Sequence, residues 1–169
     1  MIIIAAVSAD GFISQGTGVP WDLPEDRQHF RTLTQGQWLF LGRRTFEEML
    51  GWFRDHHPLV LTRRPLPAPW EMAGVECLEA ALAKMKAGGG RSLWICGGAA
   101  AYAMAMPEAD ELILTVVAEE LGDGVAFPVV DESEWQMVRK EVPTAGSSGP
   151  GPTFEWRWYE RVRKAGGAR

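Results

Sequence analysis

Ser92–Met106, SLWICGGAAAYAMAM, is the stretch on which the fold turns. SLWIC is a short apolar run, as expected of a strand covered on both faces. Gly97 and Gly98 end it, and AAAYAMAM reads as a helix starting at the strand's carboxyl end. Strand, glycine turn, helix is the repeating unit of an α/β sheet. The pattern extends in both directions. IIIAAV (2–7) is another buried strand, and SADGFISQGTGVP (8–20) a glycine-rich loop long enough to act as a lid. Asp22 caps a helix with Pro24 at its start; Phe30 and Leu33 form its apolar stripe, and it ends near Thr34 to Gly36. QWLFLG (37–42) is a strand, and RRTFEEML (43–50) a helix beginning where it ends. HPLVLTRRP (57–65) is a strand running into a basic turn, GVECL (74–78) a short strand, and EAALAKMKAGGG (79–90) a helix closed by glycines. ELILTVVAEE (111–120) is again a strand. EWQMVRKEV (134–142) and TFEWRWYERV (153–162) alternate and form an antiparallel pair joined by PTAGSSGPG (143–151). The expected fold is α/β, a mostly parallel central sheet with an antiparallel C-terminal edge and helices on both faces. Residues 1–162 are expected to be one domain, with 163–169 a frayed tail.

Composition narrows the function. The chain has 169 residues, 46% apolar and 23% charged, with net charge −5. That acidity argues against nucleic acid as a partner, since phosphate binding needs a basic surface. The opening apolar run is too short for a signal peptide or a bilayer span. Cys77 and Cys96 are far apart and give neither a metal spacing nor a disulfide framework, so no metal is expected. The expectation is a reduced, cytoplasmic protein, monomeric, acting on a small molecule without membrane or nucleic-acid partners.

Three strand ends carry similar chemistry. Arg43, Arg44 and Thr45 follow Gly42 at a helix start, where free N–H groups and guanidinium forks receive anions. Thr62, Arg63 and Arg64 follow a strand. At the third, Gly97 and Gly98 let a backbone approach a ligand, and Ala99, Ala100 and Ala101 keep the helix start free of bulk. Ligands of open parallel sheets collect at such ends, and together these suit a dinucleotide. Each also has a plainer reading, solvated arginines or a tight turn, and the fingerprint G-x-G-x-x-G is absent.

VPWDLPEDRQHF (19–30) holds three acids among apolar neighbours. Glu25 in the first turn suits the helix dipole. Asp26 stands four residues before Phe30 and shares its face. A carboxylate on an apolar face is costly unless paired, and burial raises its pKa into a range useful for proton transfer. The other reading is that Asp26 caps its own helix.

These residues resemble the dihydrofolate reductase family. The matching segments are IAAVSADGFI, GVPWDLPEDRQHF, FLGRRTFEEM, PLVLTRRP, ICGGAAAY, ADELILTVVAEELGDGVAFP and FEWRWYERV, in the family's order to about Val162. The resemblance implies NADPH-dependent reduction of 7,8-dihydrofolate to tetrahydrofolate, with hydride going to C6 and a proton to N5. It makes Asp26 the active-site acid, Trp21 the holder of an active-site water, and Thr115 the support of the acid. Ile4, Ala5, Phe30, Leu50 and Cys96 are implied for the pterin pocket. Ala6, Ile13, Gly42, Leu61, Cys96 and Tyr102 join the three strand ends in binding NADPH; Gly97 and Gly98 match a glycine pair usually joined by a cis peptide. Val19 falls in the mobile loop, and Asp123 matches an acid that braces it.

Two positions depart from the pattern. The arginine that clamps folate's glutamate is replaced by His56, which lacks a guanidinium fork. Arg27 stands where an apolar residue usually faces the benzoyl ring. Arg54 or Arg27 is the candidate substitute. The alternatives are a reductase of the same fold for another pterin or an aminopyrimidine, and a nucleotide-binding protein without turnover.

Overall fold

The computed structural model describes residues 1–16, 18–143 and 151–162. Most of the expected joining loop (144–150) and the expected tail (163–169) lie outside the described residues. β1 (Ile2–Ser8) is followed by β2 (Phe12–Ser14), α1 (Pro24–Thr34), β3 (Trp38–Gly42), α2 (Arg43–Glu48), β4 (His57–Leu61) and, after a 3-10 turn, β5 (Gly74–Val75). Then come α3 (Leu78–Ala87), β6 (Leu93–Ile95), α4 (Ala99–Ala105), β7 (Glu111–Val117), β8 (Val125–Ala126), β9 (Trp135–Glu141) and β10 (Phe154–Arg161).

Eight strands form one sheet in the order β5-β4-β3-β6-β1-β7-β10-β9. Pairing is parallel from β5 through to β7, and β10 runs antiparallel to both β7 and β9. β10 is therefore the one reversed strand, and the outermost strand β9 again points with the rest. This is the fold class expected.

Side-chain alternation places helices on both faces. Ile3, Ala5 and Val7 of β1, with Phe40, Leu93, Ile95, Leu112 and Leu114, pack against Leu78, Ala81 and Met85 of α3 and Ala101, Tyr102 and Ala105 of α4. Ile4, with Leu39, Leu41, Val60, Trp94, Cys96 and Ile113, packs the other way, under Phe30 and Leu33 of α1 and Phe46 of α2. Each of these large apolar side chains contributes about 1.5–3 kcal/mol when fully buried.

Three expectations are corrected. The loop 8–20 contains β2, whose Phe12 and Ser14 pair with Ala126 and Val125 of β8 in a separate two-stranded sheet. GVECL is a strand only over Gly74–Val75, because Cys77 is already the N-cap of α3. Helix 43–50 stops at Glu48, with Met49 as its C-cap.

Candidate active site

Pro24 at the first position of α1 makes Leu23 the N-cap, and no side chain caps this helix. Asp22, expected as the cap, instead pairs with Arg27. Asp26 does not cap the helix either. Its Oδ1 accepts a hydrogen bond from Thr115 Oγ1 at 2.5 Å and another from Trp156 Nε1 at 3.0 Å. Register brings these donors together: Thr115 on β7 and Trp156 on β10 are cross-strand partners, so their side chains share a face. Among the described residues Oδ2 receives no hydrogen bond, and Asp26 lines a cavity of about 620 Å³. That volume suits a small organic ligand.

Ile4, Ala5, Arg27, Phe30, Cys96 and Thr115 also line the cavity. Leu50 does not: it follows the end of α2 and is 47% exposed. Met49 and Trp52 line the wall in its place, Trp52 lying 5.0 Å from Phe30 between ring centres. Arg54 is exposed and absent from the lining; its backbone N–H donates to His56 Nδ1 at 3.3 Å. His56 is tucked beside Trp52, with Nε2 3.4 Å from Thr34 Oγ1. Sequence reasoning missed Met49, Trp52 and Trp156.

A second groove of about 410 Å³ meets the first along Ala6, Gly18, Val19, Arg44, Thr45, Glu48, Cys96 and Tyr102. Its other walls include Ile13, Gly42, Arg43, Leu61, Gly97, Gly98, Ala99 and Ala100. The Gly97–Gly98 peptide is cis. A Cβ on Gly42 would approach Gly98 N to 3.5 Å, and one on Gly98 would approach Thr45 Oγ1 to 3.5 Å. The strand ends of β3 and β6 therefore sit backbone against backbone. Neither α2 nor α4 has a side-chain cap, which leaves first-turn N–H groups for a ligand. Ala101 is fully buried in the core rather than in this wall. Thr62, Arg63 and Arg64 lie just past Leu61, both arginines exposed. Thr62 Oγ1 donates to Arg64 O at 3.1 Å, and Arg43 braces the same turn by donating to Pro65 O at 3.1 Å. Burial pushes the Cys96 thiol and the Tyr102 hydroxyl well up, so both stay protonated; Tyr102 donates to Ile4 O at 2.9 Å.

Comparison with known proteins decides the family. The dihydrofolate reductase family model matches residues 1–161. The chain belongs to the dihydrofolate reductase family. It is 34% identical to dihydrofolate reductase type 3 of Salmonella typhimurium, over 85% of this chain and 87% of that one. It is 31% identical to the dihydrofolate reductase of Bacillus subtilis, over 97% of both chains. With the dihydrofolate reductase of Mycobacterium tuberculosis the identity is 33%, over 92% of this chain and 88% of that one. The chain is thus an oxidoreductase with a small-molecule substrate. Among the described residues no helix is long and apolar enough to cross a membrane, and no cluster of ligating side chains could hold a metal ion.

Within this family fold, side-chain contacts of Asp10 and Trp21 help tie the segment after β1 to the loop after β7. Asp10 accepts N–H bonds from Leu121 at 3.1 Å and Gly122 at 2.7 Å, and the Ser8 hydroxyl at 2.5 Å holds its carboxyl below the usual carboxylate range. Asp123, the expected brace, is exposed, and Asp10 does the bracing in its place. Trp21 lines the first cavity, but its indole N–H donates to Glu119 Oε2 at 2.9 Å. That N–H joins the two loops instead of reaching toward a water near Asp26.

Burial holds His29 and His56 below the ordinary imidazole value, with Asp26 and Asp55 pulling the other way. A histidine depressed in the folded state is protonated first in the unfolded chain, so the unfolded chain binds more protons as pH falls. The stability these two contribute is complete above about pH 6.5 and is lost below it. Thermal melts are expected to show a level Tm down to about pH 6.5 and a decline from there to about pH 5. The lowered carboxylates of Asp10, Asp131 and Glu155 act only further down, through the carboxylate range. A Tm that stays level to about pH 5 contradicts the neutral buried histidines.

Proposed function

We propose that the protein reduces 7,8-dihydrofolate to 5,6,7,8-tetrahydrofolate with NADPH as reductant. The observation that carries this reading is the junction of the two cavities. One holds the Asp26 carboxylate, fixed through Oδ1, and the other is edged by glycines, alanines and arginines. The groove fits a dinucleotide: Gly42, Gly97 and Gly98 put no side chain between the strand ends and a pyrophosphate, and uncapped helix starts offer donors to it. Arg43, Arg44 and Thr45 would hold phosphate, while Thr62, Arg63 and Arg64 would surround a 2′-phosphate and favour NADPH over NADH. Ala6, Ile13, Cys96 and Tyr102 would shape the nicotinamide end. When bound, NADPH supplies the hydride that C6 receives.

The chain's own part is binding, orientation and the proton. Asp26 Oδ2 would accept from the amino-pyrimidine edge, and the same carboxylate promotes protonation at N5. Thr115 and Trp156 keep Oδ1 occupied, so the remaining oxygen is the one presented to substrate. Phe30, Trp52 and Ile4 would sandwich the flat ring and exclude water.

A second reading keeps the fold and reductant but takes another pterin or an aminopyrimidine. His56 favours it: buried and held neutral, it offers no charge to a glutamate tail. Arg27 at the cavity rim separates the readings. Arg27→Leu is expected to raise KM for dihydrofolate about fivefold, the worth of a largely exposed charge pair, with kcat nearly unchanged. Arg54→Ala is expected to change neither constant. An Arg27→Leu enzyme with unchanged KM removes Arg27 from tail binding. NADPH consumption with dihydrobiopterin but not dihydrofolate selects the second reading, and NADPH binding without turnover of any pterin overturns both.

A further inference from the structure

We propose that Trp156 is a positioning residue for the Asp26 carboxylate: its indole N–H fixes Oδ1 from behind, so that Oδ2 faces the substrate cavity. This deepens the reductase reading and rests on it.

Trp156 does not line the substrate cavity. It lines a shallow groove on the other side of Asp26, between α1 and the end of β9. Its N–H meets Oδ1 at 3.0 Å, the oxygen that Thr115 also reaches at 2.5 Å. Two donors from adjacent strands on one oxygen fix the rotation of the carboxylate about its Cβ–Cγ bond. The donors differ in kind. A threonine hydroxyl both donates and accepts and turns to suit its partner; an indole N–H only donates and is set by the ring plane.

That plane is held. The His29 ring stacks on Trp156 with centres 4.2 Å apart and 26° between planes. Phe154 meets it edge-on at 5.6 Å, and Trp158 closes the far side of His29 at 5.8 Å and 89°. His29 lies three residues after Asp26, so one turn of α1 presents both the acid that accepts from Trp156 and the ring that clamps it. Buried His29 Nε2 has no hydrogen-bond partner among the described residues, as befits a side chain serving as a flat surface. Trp21, the other indole near the acid, donates to Glu119 instead. The charged and titratable groups around Trp156 are Asp26, Glu25 and His29 from α1 and Glu141 and Arg139 from β9, with the Thr115 hydroxyl from β7.

A donor to a carboxylate favours its ionised form, so removing the indole N–H makes protonation easier. The reaction consumes a proton, and turnover falls on the alkaline side. In Trp156→Phe the half-maximal point of that fall is expected to move up by about one pH unit, a tenfold change in proton affinity. KM for dihydrofolate is expected to rise about tenfold, because the carboxylate is free to turn away from the ring it binds. NADPH affinity, read by fluorescence, stays the same. Trp158→Phe, on the same strand and face, leaves the pH profile in place. An unmoved profile in Trp156→Phe, or an equal displacement in Trp158→Phe, overturns the proposal. A measurement on the unaltered enzyme covers the case in which Trp156→Phe does not fold. The Trp156 indole ¹H–¹⁵N signal, assigned through its contacts with the His29 ring, is expected to exchange with solvent at least about tenfold more slowly than a free indole, because its N–H is held on Asp26 Oδ1. An indole N–H that exchanges as fast as a free one overturns the proposal without any variant. If the unaltered enzyme turns over no dihydrofolate, the functional reading fails, and the indole signal alone then decides the positioning role.

Discussion

Asp26→Asn is expected to fold, to bind NADPH with unchanged affinity, and to turn over dihydrofolate about 100- to 1000-fold more slowly. The amide has the size of the carboxyl, and its oxygen still accepts from Thr115 and Trp156. Its nitrogen then occupies the place of Oδ2 and faces the cavity as a donor. It cannot accept from an amino-pyrimidine edge, and it carries no proton that N5 can draw on. The loss therefore falls on the chemical step and on pterin binding together, and leaves the dinucleotide groove untouched. Steady-state kinetics, NADPH fluorescence titration and a thermal melt measure the three parts. A loss below tenfold would mean that the proton reaches the substrate without this carboxylate.

Gly97→Ala carries the second large effect, on stability and cofactor binding together. Gly97 has φ +103, a conformation that L side chains rarely adopt. A Cβ there would lie 3.0 Å from the Tyr102 hydroxyl oxygen and 3.1 Å from the ring carbon bearing it. Tyr102 has little room to retreat: it is 5% exposed, is packed against Phe127, and donates to Ile4 O. Backbone strain costs about 1–3 kcal/mol. With partial loss of the tyrosine hydrogen bond, Tm is expected to fall by about 5–10 °C. Gly97 and Tyr102 are both walls of the groove, so NADPH affinity is expected to drop at least about tenfold as the ring shifts. Gly36→Ala is the control, since Gly36 has φ +69 but a Cβ there meets nothing within 4 Å. If both variants lose the same stability and both keep NADPH, the Tyr102 contact contributes nothing.

The sheet was readable because its strands are short β-branched and aromatic runs bounded by glycine, and the face of Asp26 because Phe30 follows one helical turn later. What escaped depended on contacts remote in sequence or on one-residue details of an end. Trp156 is one of eight tryptophans in an alternating strand, and only the pairing of β10 with β7 places it opposite Thr115. Asp22 was assigned as a cap although Pro24 at the first helical position already made Leu23 the N-cap. Leu50 was placed in the pocket by the family resemblance alone, and α2, which precedes it, ends at Glu48. β2 is three residues within a glycine-rich loop, and its partner β8 is more than a hundred residues away. Arg54 was a guess from proximity in the chain, and the turn before β4 carries it outward.

β1 lies between β6 and β7, with Ile2 opposite both Trp94 and Glu111. The ribosome releases this strand before the rest of the sheet, yet both of its neighbours emerge only after β2 to β5 and α1 to α3. Until then its apolar residues and peptide groups have no permanent company. Closing so long a span is entropically demanding and slows assembly. During synthesis β1 is therefore the strand of the sheet most dependent on protection from other newly made chains.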